Sequence, residues 1–237
     1  MRINEEMAKV LIIIPAYNEA ENIECVVENI IENYPEYDYV IVNDGSIDAT
    51  RKICKARGYN ILDLPVNLGL AGAIKSGFKY ANYYQYEYVV QIDGDGQHDP
   101  AYIQSMLKIM EERNADIVIG SRFIDEKKSA NMRMLGSHLI SGLIFLTTGK
   151  KIKDVTSGMR LFNKNMIKRF GYRINYGPEP DTLAFLLNCG MKIEEVPVSM
   201  QERTAGTSYL TIGRSISYML HMIYGIAIFQ WFRRKEK

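Results

Sequence analysis

Short apolar runs that alternate with amphipathic stretches constrain the fold of this chain more than any other feature. The first run, 10–14, is wholly apolar and mostly β-branched, as expected of a strand that is covered on both faces. Apolar residues at helical spacing follow from Ile23 to Tyr34, and Pro35 ends that pattern. Further strands are predicted at 39–42, 59–64, 88–92 and 116–119, and further helices at 48–57, 69–83 and 102–110. This order predicts an α/β fold with a mostly parallel central sheet flanked by helices.

The second half of the chain is less regular. Helices are predicted at 132–148 and 179–188, a strand at 192–196, and polar loops at 154–160 and 201–208. Residues 212–232 are apolar on almost every side and a basic tail follows them, so a helix there must be buried in lipid or in protein. We expect one domain over 1–208 and a C-terminal apolar helix with a basic tail over 209–237, which contacts either the membrane interface or another subunit.

Charge and motif content exclude several classes of protein. The 29 basic and 28 acidic residues give a formal net charge of +1, without the basic excess that is typical of nucleic-acid binding. The three cysteines are widely spaced, and no Cys/His pattern has the spacing of zinc ligands. The glycines lack the spacing of a dinucleotide-binding fingerprint, and no P-loop motif is present. These absences argue against a dehydrogenase and against a P-loop NTPase.

Polar residues directly follow the predicted strands, which is where ligands bind on parallel sheets. After the fourth predicted strand, Asp93 and Asp95 present two carboxylates one residue apart, and the glycines between and after them permit the strand to break. Gln97 adds a carbonyl oxygen. Hard oxygen ligands suit Mg²⁺ or Mn²⁺. From the residues alone, the alternative of a plain Asp-Gly turn stays open.

Three other strand ends carry candidate ligand groups. Tyr17, after the first predicted strand, has an aromatic face on which a planar base can stack. Asp44 follows the second strand in a turn-like sequence. Arg122 and Arg133 lie beyond the fifth strand, and guanidinium groups hold phosphate oxygens in bidentate fashion. Each of these residues, taken alone, is also compatible with an ordinary solvated surface.

Taken in order, the motifs resemble those of family 2 glycosyltransferases of the GT-A fold. The matching strings are IIIPAYNE at 12–19, VNDGSID at 42–48, NLG at 67–69, DGDGQHDP at 93–100 and GSRF at 120–123. Within that family the chain most resembles the dolichol-phosphate-mannose synthase and bacterial polyprenyl-phosphate glycosyltransferase branch, through 97–100, 154–160 and 195–198. It departs from that branch at Tyr209, where a lysine usually follows the serine.

This resemblance implies three groups of site residues. The donor nucleotide sugar would contact Pro15, Tyr17, Glu19, Asp44, Asp93 and Arg203. A Mg²⁺ or Mn²⁺ ion would be held by Asp93, Asp95 and Gln97. The acceptor phosphate would contact Arg122, Arg133 and Ser137. The catalytic residues would be Asp95, Arg122 and Arg133, and for a hydroxyl acceptor the chemistry adds Glu179 and Asp154 as candidate bases.

The activity expected from the resemblance is inverting, metal-dependent transfer of a hexose to polyprenyl phosphate for cell-envelope polysaccharide synthesis. The donor is a nucleotide sugar, UDP-linked by analogy with bacterial relatives. Because a lipid phosphate is already anionic at neutral pH, it requires no strong general base. A saccharide hydroxyl as acceptor is the alternative, and it would need a carboxylate base, for which Glu179, Asp181 and Asp154 are the candidates. A non-catalytic subunit that binds sugar nucleotide or lipid is the third hypothesis.

The partners expected are therefore a nucleotide sugar, a polyprenyl phosphate lipid, and a membrane surface or a small membrane protein. The C-terminal helix would attach the chain to the cytoplasmic face of the membrane, next to a lipid-borne acceptor. Packing of that helix in a homo-oligomer is the alternative, and no nucleic acid is expected to bind.

Overall fold

The computed structural model describes residues 9–123, 132–174, 176–200 and 219–229. The strands are β1 Val10–Ala16, β2 Asp38–Asn43, β3 Ile61–Asp63, β4 Tyr88–Gln91, β5 Ile117–Ser121, β6 Arg160–Asn163 and β7 Ile193–Pro197. The helices are α1 Ile23–Asn33, α2 Thr50–Arg57, α3 Gly69–Tyr83, α4 Ile103–Arg113, α5 Met132–Thr148, α6 Lys164–Lys168 and α7 Pro180–Asn188. A 3₁₀ turn covers Pro100–Tyr102, and π-helical turns cover Arg169–Arg173 and Gly225–Phe229.

The strands form one seven-stranded sheet in the order β3-β2-β1-β4-β6-β5-β7. β1 pairs in parallel with β2 and β4, β2 with β3, and β5 with β7. β6 alone, among the strands described, runs antiparallel to its neighbours, β4 and β5. The mostly parallel sheet predicted from the sequence is therefore confirmed, and the described residues form a single α/β domain.

The prediction missed β6. Its first residue, Arg160, was placed at the end of a polar loop, yet the structure buries it, with 4% of its surface exposed. Its side chain finds backbone carbonyl partners at Ser157 and Val155, so a charged residue can begin a central strand. Helix α2 also begins later than predicted, at Thr50, where the Asp48 carboxylate accepts the Thr50 N–H at 2.9 Å.

Apolar side chains fill a layer on each face of the sheet. The first layer lies under α3, α5 and α7 and includes the rings of Phe78, Phe162 and Phe170, whose centroids are 5.0–5.5 Å apart. The second layer lies under α1 and α4 and takes the alternate residues of β1, among them Ile12 and Ile14. A Cβ at Gly77 would come within 2.7 Å of Ile13. This glycine therefore serves close packing of α3 on the sheet.

The C-terminal segment (residues 219–229) packs against the same domain. Met222 and Ile226 are 2% and 0% exposed and belong to the first apolar layer. Gly136 on α5 approaches Met219 so closely that a Cβ there would overlap the sulfur. The predicted apolar helix over 209–237 is not confirmed as a whole, because 201–218 and 230–237 lie outside the described residues. Within the described residues, no helix is long and apolar enough to cross a membrane.

Candidate functional site

The loops after β1 and β2 are fastened to each other at the carboxyl edge of the sheet. Asn18, with φ at +58°, gives its N–H to Ser46 Oγ at 3.0 Å, and its Oδ1 accepts the Ile47 N–H at 3.0 Å. The Glu19 N–H is donated to Thr50 Oγ1 at 2.9 Å. These bonds hold the segment that carries Pro15, Tyr17 and Glu19 beside the segment that carries Asp44.

Asp44 fixes a third loop to the same edge. Its carboxylate is buried, and Oδ1 accepts the Leu68 N–H at 2.7 Å. Gly45 has φ at +66° and lies against the backbone of residues 66–67, so that a Cβ there would be 2.7 Å from the Asn67 nitrogen. Tyr17 lies nearby with 37% of its surface exposed. The arrangement is a buried carboxylate with an open aromatic ring at its rim, which suits recognition of a planar base.

The Asp93–Gln97 segment follows β4 and turns sharply. The Gln97 N–H is donated to Asp95 Oδ1 at 3.1 Å, and Gly96 has φ at +78°. Gly94 packs beside Pro15 and Glu19: a Cβ there would be 3.2 Å from the Pro15 carbonyl oxygen and 3.5 Å from Glu19 Cγ. The two aspartates are thereby placed next to the loop that follows β1.

The far end of this segment is fixed through Asp99. Its Oδ1 accepts the Ala101 N–H at 2.9 Å and a hydrogen bond from the Tyr34 hydroxyl at 3.0 Å. Burial of the Tyr34 phenol, together with this bond to a carboxylate, raises the Tyr34 pKa above its usual value. The segment is thus anchored to α1 on one side and to the 3₁₀ turn on the other.

The donor set fits a divalent ion that shares its coordination with a substrate. Asp93, Asp95 and Gln97 supply two carboxylates and one amide oxygen. Among the described residues, no cluster of three or more His, Cys, Asp or Glu side chains forms a complete metal cage. Mg²⁺ and Mn²⁺ sites of one or two carboxylates are ordinarily completed by substrate phosphates and water, and this segment has that composition.

Arg122 and Asp154 form a bidentate ion pair at the end of β5. Arg122 Nε donates to Asp154 Oδ2 at 2.7 Å, Nη2 donates to Oδ1 at 2.8 Å, and the Arg122 backbone N–H donates to Oδ2 at 3.1 Å. A further bond runs from Nη2 to Thr156 Oγ1 at 3.1 Å. Nη1 has no hydrogen-bond partner among the described residues. Burial alone would raise the Asp154 pKa, but the Arg122 hydrogen bonds and charge outweigh it and hold that pKa below its usual range.

Glu195 on β7 holds the backbone that carries Asp154. Its carboxylate accepts the backbone N–H groups of Lys153 and Asp154, both at 2.8 Å. Glu195 on β7 thus holds the backbone of 153–154, and the Asp154 carboxylate in turn holds Arg122. The sequence analysis used Glu195 only as part of a family string and missed this contact. Because Glu195 lies 42 and 41 positions from Lys153 and Asp154 in the chain, sequence spacing carries no signal for these contacts.

The carboxylates proposed as bases differ in accessibility. Asp154 is 0% exposed and bound to Arg122, which makes it a poor proton acceptor. Asp181 is 8% exposed, its Oδ1 accepts the Thr182 N–H at 2.8 Å, and Gly225 of the C-terminal segment lies against it. Glu179 precedes α7 and is partly exposed, so it is the most accessible of the three.

Two predicted site residues cannot be located through their side chains. Arg203 lies in 201–218, outside the described residues, and for Arg133 only the helical backbone of α5 is described. Ser137 is one helical turn beyond Arg133 and is buried, with 4% exposed. The four-residue spacing puts the two on one face of α5.

The fold and these loops define an α/β protein of GT-A type, with its candidate site beyond the carboxyl ends of the strands. The model of glycosyl transferase family 2 matches residues 11–171. The chain therefore belongs to this family and is a glycosyltransferase.

Relatives and solved structures agree with this assignment. An undecaprenyl-phosphate mannosyltransferase of Micrococcus luteus is 30% identical over 86% of this chain and 88% of its own. A UDP-N-acetylglucosamine–dolichyl-phosphate N-acetylglucosaminyltransferase of Methanococcus voltae is 30% identical over 90% of this chain and 95% of its own. Glucosyl-3-phosphoglycerate synthase of Mycobacterium tuberculosis, solved with Mn²⁺, UDP-glucose and phosphoglyceric acid, superposes with a TM-score of 0.71. It is 15% identical and covers 92% of this chain and 79% of that one, which shows a common fold.

Proposed function

We propose that this protein transfers a hexose from a nucleotide sugar to polyprenyl phosphate. One observation carries the proposal: the loop 154–158 touches both halves of the candidate site. Its first part binds Arg122 through Asp154 and Thr156, and its last part, Gly158, lies against the Asp93 carboxylate. A cation for an acceptor phosphate and the carboxylates for a donor diphosphate are thus neighbours. The two relatives whose names specify polyprenyl-type phosphates support this acceptor.

On this proposal, the residues of the chain mainly bind and orient two anions. Asp44 and Tyr17 hold the nucleotide base, while Asp93, Asp95 and Gln97 face its diphosphate. A divalent ion, when bound there, neutralises the charge that develops on the leaving diphosphate. Arg122 presents Nη1 to the acceptor phosphate, because Asp154 and Thr156 occupy Nε and Nη2. Arg133 and Ser137 contribute from α5, and Arg203 contributes from the segment 201–208, which lies outside the described residues.

The acceptor oxygen attacks the anomeric carbon from the face opposite the diphosphate. It is already anionic, so no proton has to be removed and no general base is required. Preorganised positive charge and correct orientation then provide most of the acceleration. The burial of Asp154 in its ion pair agrees with a reaction of this kind.

Transfer to a saccharide hydroxyl is the second candidate function. The partly exposed Glu179 at the beginning of α7 favours it, since it is the accessible carboxylate among those proposed as bases. A base in that position should contribute roughly 10²–10⁴-fold to the rate. The size of the effect of Glu179→Gln on kcat therefore separates the two candidates.

Attachment to the cytoplasmic face of the membrane belongs to the same proposal. Three large apolar side chains on α5, Leu139, Phe145 and Leu146, are 57%, 54% and 80% exposed, and Leu220 of the C-terminal segment is 62% exposed. Exposed apolar groups on adjoining helices are typical of membrane or protein contacts. The basic residues at 233–235 suit anionic lipid.

The proposal is tested by incubating the protein with radiolabelled UDP- or GDP-hexoses and polyprenyl phosphate, followed by solvent extraction. Label in the lipid phase that depends on both substrates supports it. Label that appears only when a lipid-linked saccharide replaces the polyprenyl phosphate supports the second candidate.

A further inference from the structure

None of the described residues donates a hydrogen bond to the Asp93 carboxylate. The His98 Nδ1 atom lies 3.8 Å from Asp93 Oδ2, which is beyond hydrogen-bond distance. The Asp93 side chain is 38% exposed. A carboxylate at a strand end ordinarily populates several rotamers. Its orientation here must come from the atoms packed around it.

Gly158 provides one wall of a slot around this carboxylate. A Cβ built on Gly158 would overlap Asp93 Oδ2, and it would lie 2.9 Å from Asp93 Cγ and 2.9 Å from His98 Cε1. The backbone at Gly158 therefore lies against the carboxylate and against the edge of the imidazole. No residue with a side chain fits at this position unless Asp93 moves.

His98 provides the second wall and an anchor. Its side chain is 1% exposed, and Nδ1 accepts the Asp93 backbone N–H at 3.2 Å. This bond assigns the imidazole proton to Nε2, which is buried and has no partner among the described residues. The ring thus fixes both the main chain and one side of the carboxylate of Asp93.

Hydrogen bonds from Arg160, the first residue of β6, hold the backbone next to Gly158 in place. Arg160 Nε donates to the Ser157 carbonyl at 2.9 Å, and Nη2 donates to the Val155 carbonyl at 2.8 Å. Arg160 is paired across the sheet with Gln91, two residues before Asp93. The loop that forms the wall is therefore connected directly to β4, the strand that precedes Asp93.

We propose that His98 and Gly158 are positioning residues that hold Asp93 in a single orientation by shape. Because none of the described residues donates to it, the 38% exposed carboxylate remains available for the diphosphate, the sugar or a divalent ion. This inference rests on the proposed function, since it takes Asp93 as a donor-site ligand. It adds two residues whose role is to preorganise that ligand.

The first test compares Gly158→Ala with Gly142→Ala. Gly142 lies on α5 with nothing within 4 Å of its added Cβ, so it controls for the extra methyl group. The affinity for Mn²⁺ is measured from the unbound-ion electron paramagnetic resonance signal at saturating UDP and, separately, GDP. We expect Gly158→Ala to weaken Mn²⁺ binding about 10–100-fold, the usual effect of losing an outer-shell partner. Nucleotide affinity in EDTA, which reports the base site at Asp44, should stay within about twofold.

The second test separates positioning from general stability. His98→Asn keeps an oxygen that can accept the Asp93 N–H, whereas His98→Leu removes the acceptor at similar bulk. We expect His98→Leu to weaken Mn²⁺ binding at least tenfold and His98→Asn to recover most of that loss. Equal effects of the two variants would overturn the inference. Wild-type Mn²⁺ affinity in Gly158→Ala would overturn it as well.

Failure of the proposed function gives a different result. In that case the wild-type protein itself binds no Mn²⁺–nucleotide complex and transfers no sugar. If the wild type binds and transfers while neither Gly158→Ala nor His98→Leu changes Mn²⁺ affinity, the proposed function stands and only the positioning role is lost.

Discussion

Replacing Asp154 with Asn changes the charge and the hydrogen bonds of the ion pair at the end of β5. The wild-type carboxylate accepts three hydrogen bonds from Arg122, at 2.7, 2.8 and 3.1 Å. The Asn side chain would keep one acceptor oxygen, but its NH₂ group would face an N–H group of Arg122. One hydrogen bond is therefore lost, and two donors oppose each other. Arg122 also loses its counter-charge. The backbone links from Glu195 to 153–154 stay intact, which confines the change to the arginine.

The magnitude follows from this geometry. Breaking a buried ion pair by removing one partner costs about 3–5 kcal/mol, and hydrogen bonds to charged groups contribute roughly 1.5–3 kcal/mol. Because the Arg122 side chain is 29% exposed, water recovers part of this loss. We expect unfolding free energy to fall by about 2 kcal/mol. We expect the KM for the acceptor to rise about tenfold, since misorientation of Arg122 costs about 1.4 kcal/mol of binding.

The assay is steady-state kinetics with donor and acceptor varied independently. Thr156→Val is the graded control, because it removes only the 3.1 Å bond to Nη2 and should raise the acceptor KM about two- to threefold. The donor KM should change less than about twofold in both variants. A loss of kcat of a hundredfold or more in Asp154→Asn, with the acceptor KM unchanged, would refute the positioning role and restore Asp154 as a base.

Four further expectations concern acid stability, metal dependence, the acceptor class and the membrane. Because the Asp154 pKa is depressed in the folded protein, the ionised carboxylate stabilises the fold. This stabilisation is fully present above the unfolded-state pKa of about 3.9 and is lost as the pH falls through the lower folded-state pKa. Acid melts of wild type and Asp154→Asn should therefore converge below the folded-state pKa. Asp95→Asn or excess EDTA should reduce transfer at least about a hundredfold with an unchanged melting temperature, and full activity in EDTA would contradict this. Glu179→Gln should lower kcat less than about tenfold with polyprenyl phosphate, whereas a loss of a thousandfold would indicate a hydroxyl acceptor. Leu146→Glu, at a position 80% exposed, should reduce flotation with anionic liposomes without lowering the melting temperature, and equal flotation would argue against membrane contact through α5.

Much of the fold was predictable because its elements carry local signals. The small-residue helix at 69–83 was predicted with the bounds that α3 has, and 132–148 with those of α5. β6 gave no such signal: it is four residues long and begins with an arginine. Its stability depends on carbonyl groups three and five residues earlier in the chain, whose positions only the folded loop defines.

The candidate site was predictable where ligand groups follow strands, and not where they depend on distant partners. Asp44 and Asp93 could be singled out because Asp44 directly follows β2 and Asp93 follows β4 after one residue. The role of Asp154 could not, because its partner Arg122 lies 32 positions away. Asp154 was a candidate base for a hydroxyl acceptor, but the ion pair with Arg122 disfavours that role. The contact of Gly158 with Asp93 is likewise non-local and becomes visible only when the two loops pack together.

Donor- and acceptor-dependent labelling of lipid is the most direct measurement of the central claim. Purified full-length protein is supplied with Mn²⁺, each radiolabelled UDP- or GDP-hexose in turn, and polyprenyl phosphate in detergent or liposomes. We predict that label enters the organic phase with at least one donor, that omission of polyprenyl phosphate abolishes this label, and that Asp95→Asn reduces it to background. Label that stays in the aqueous phase with every donor, while the protein binds nucleotide normally, would contradict the proposal that the acceptor is a lipid phosphate.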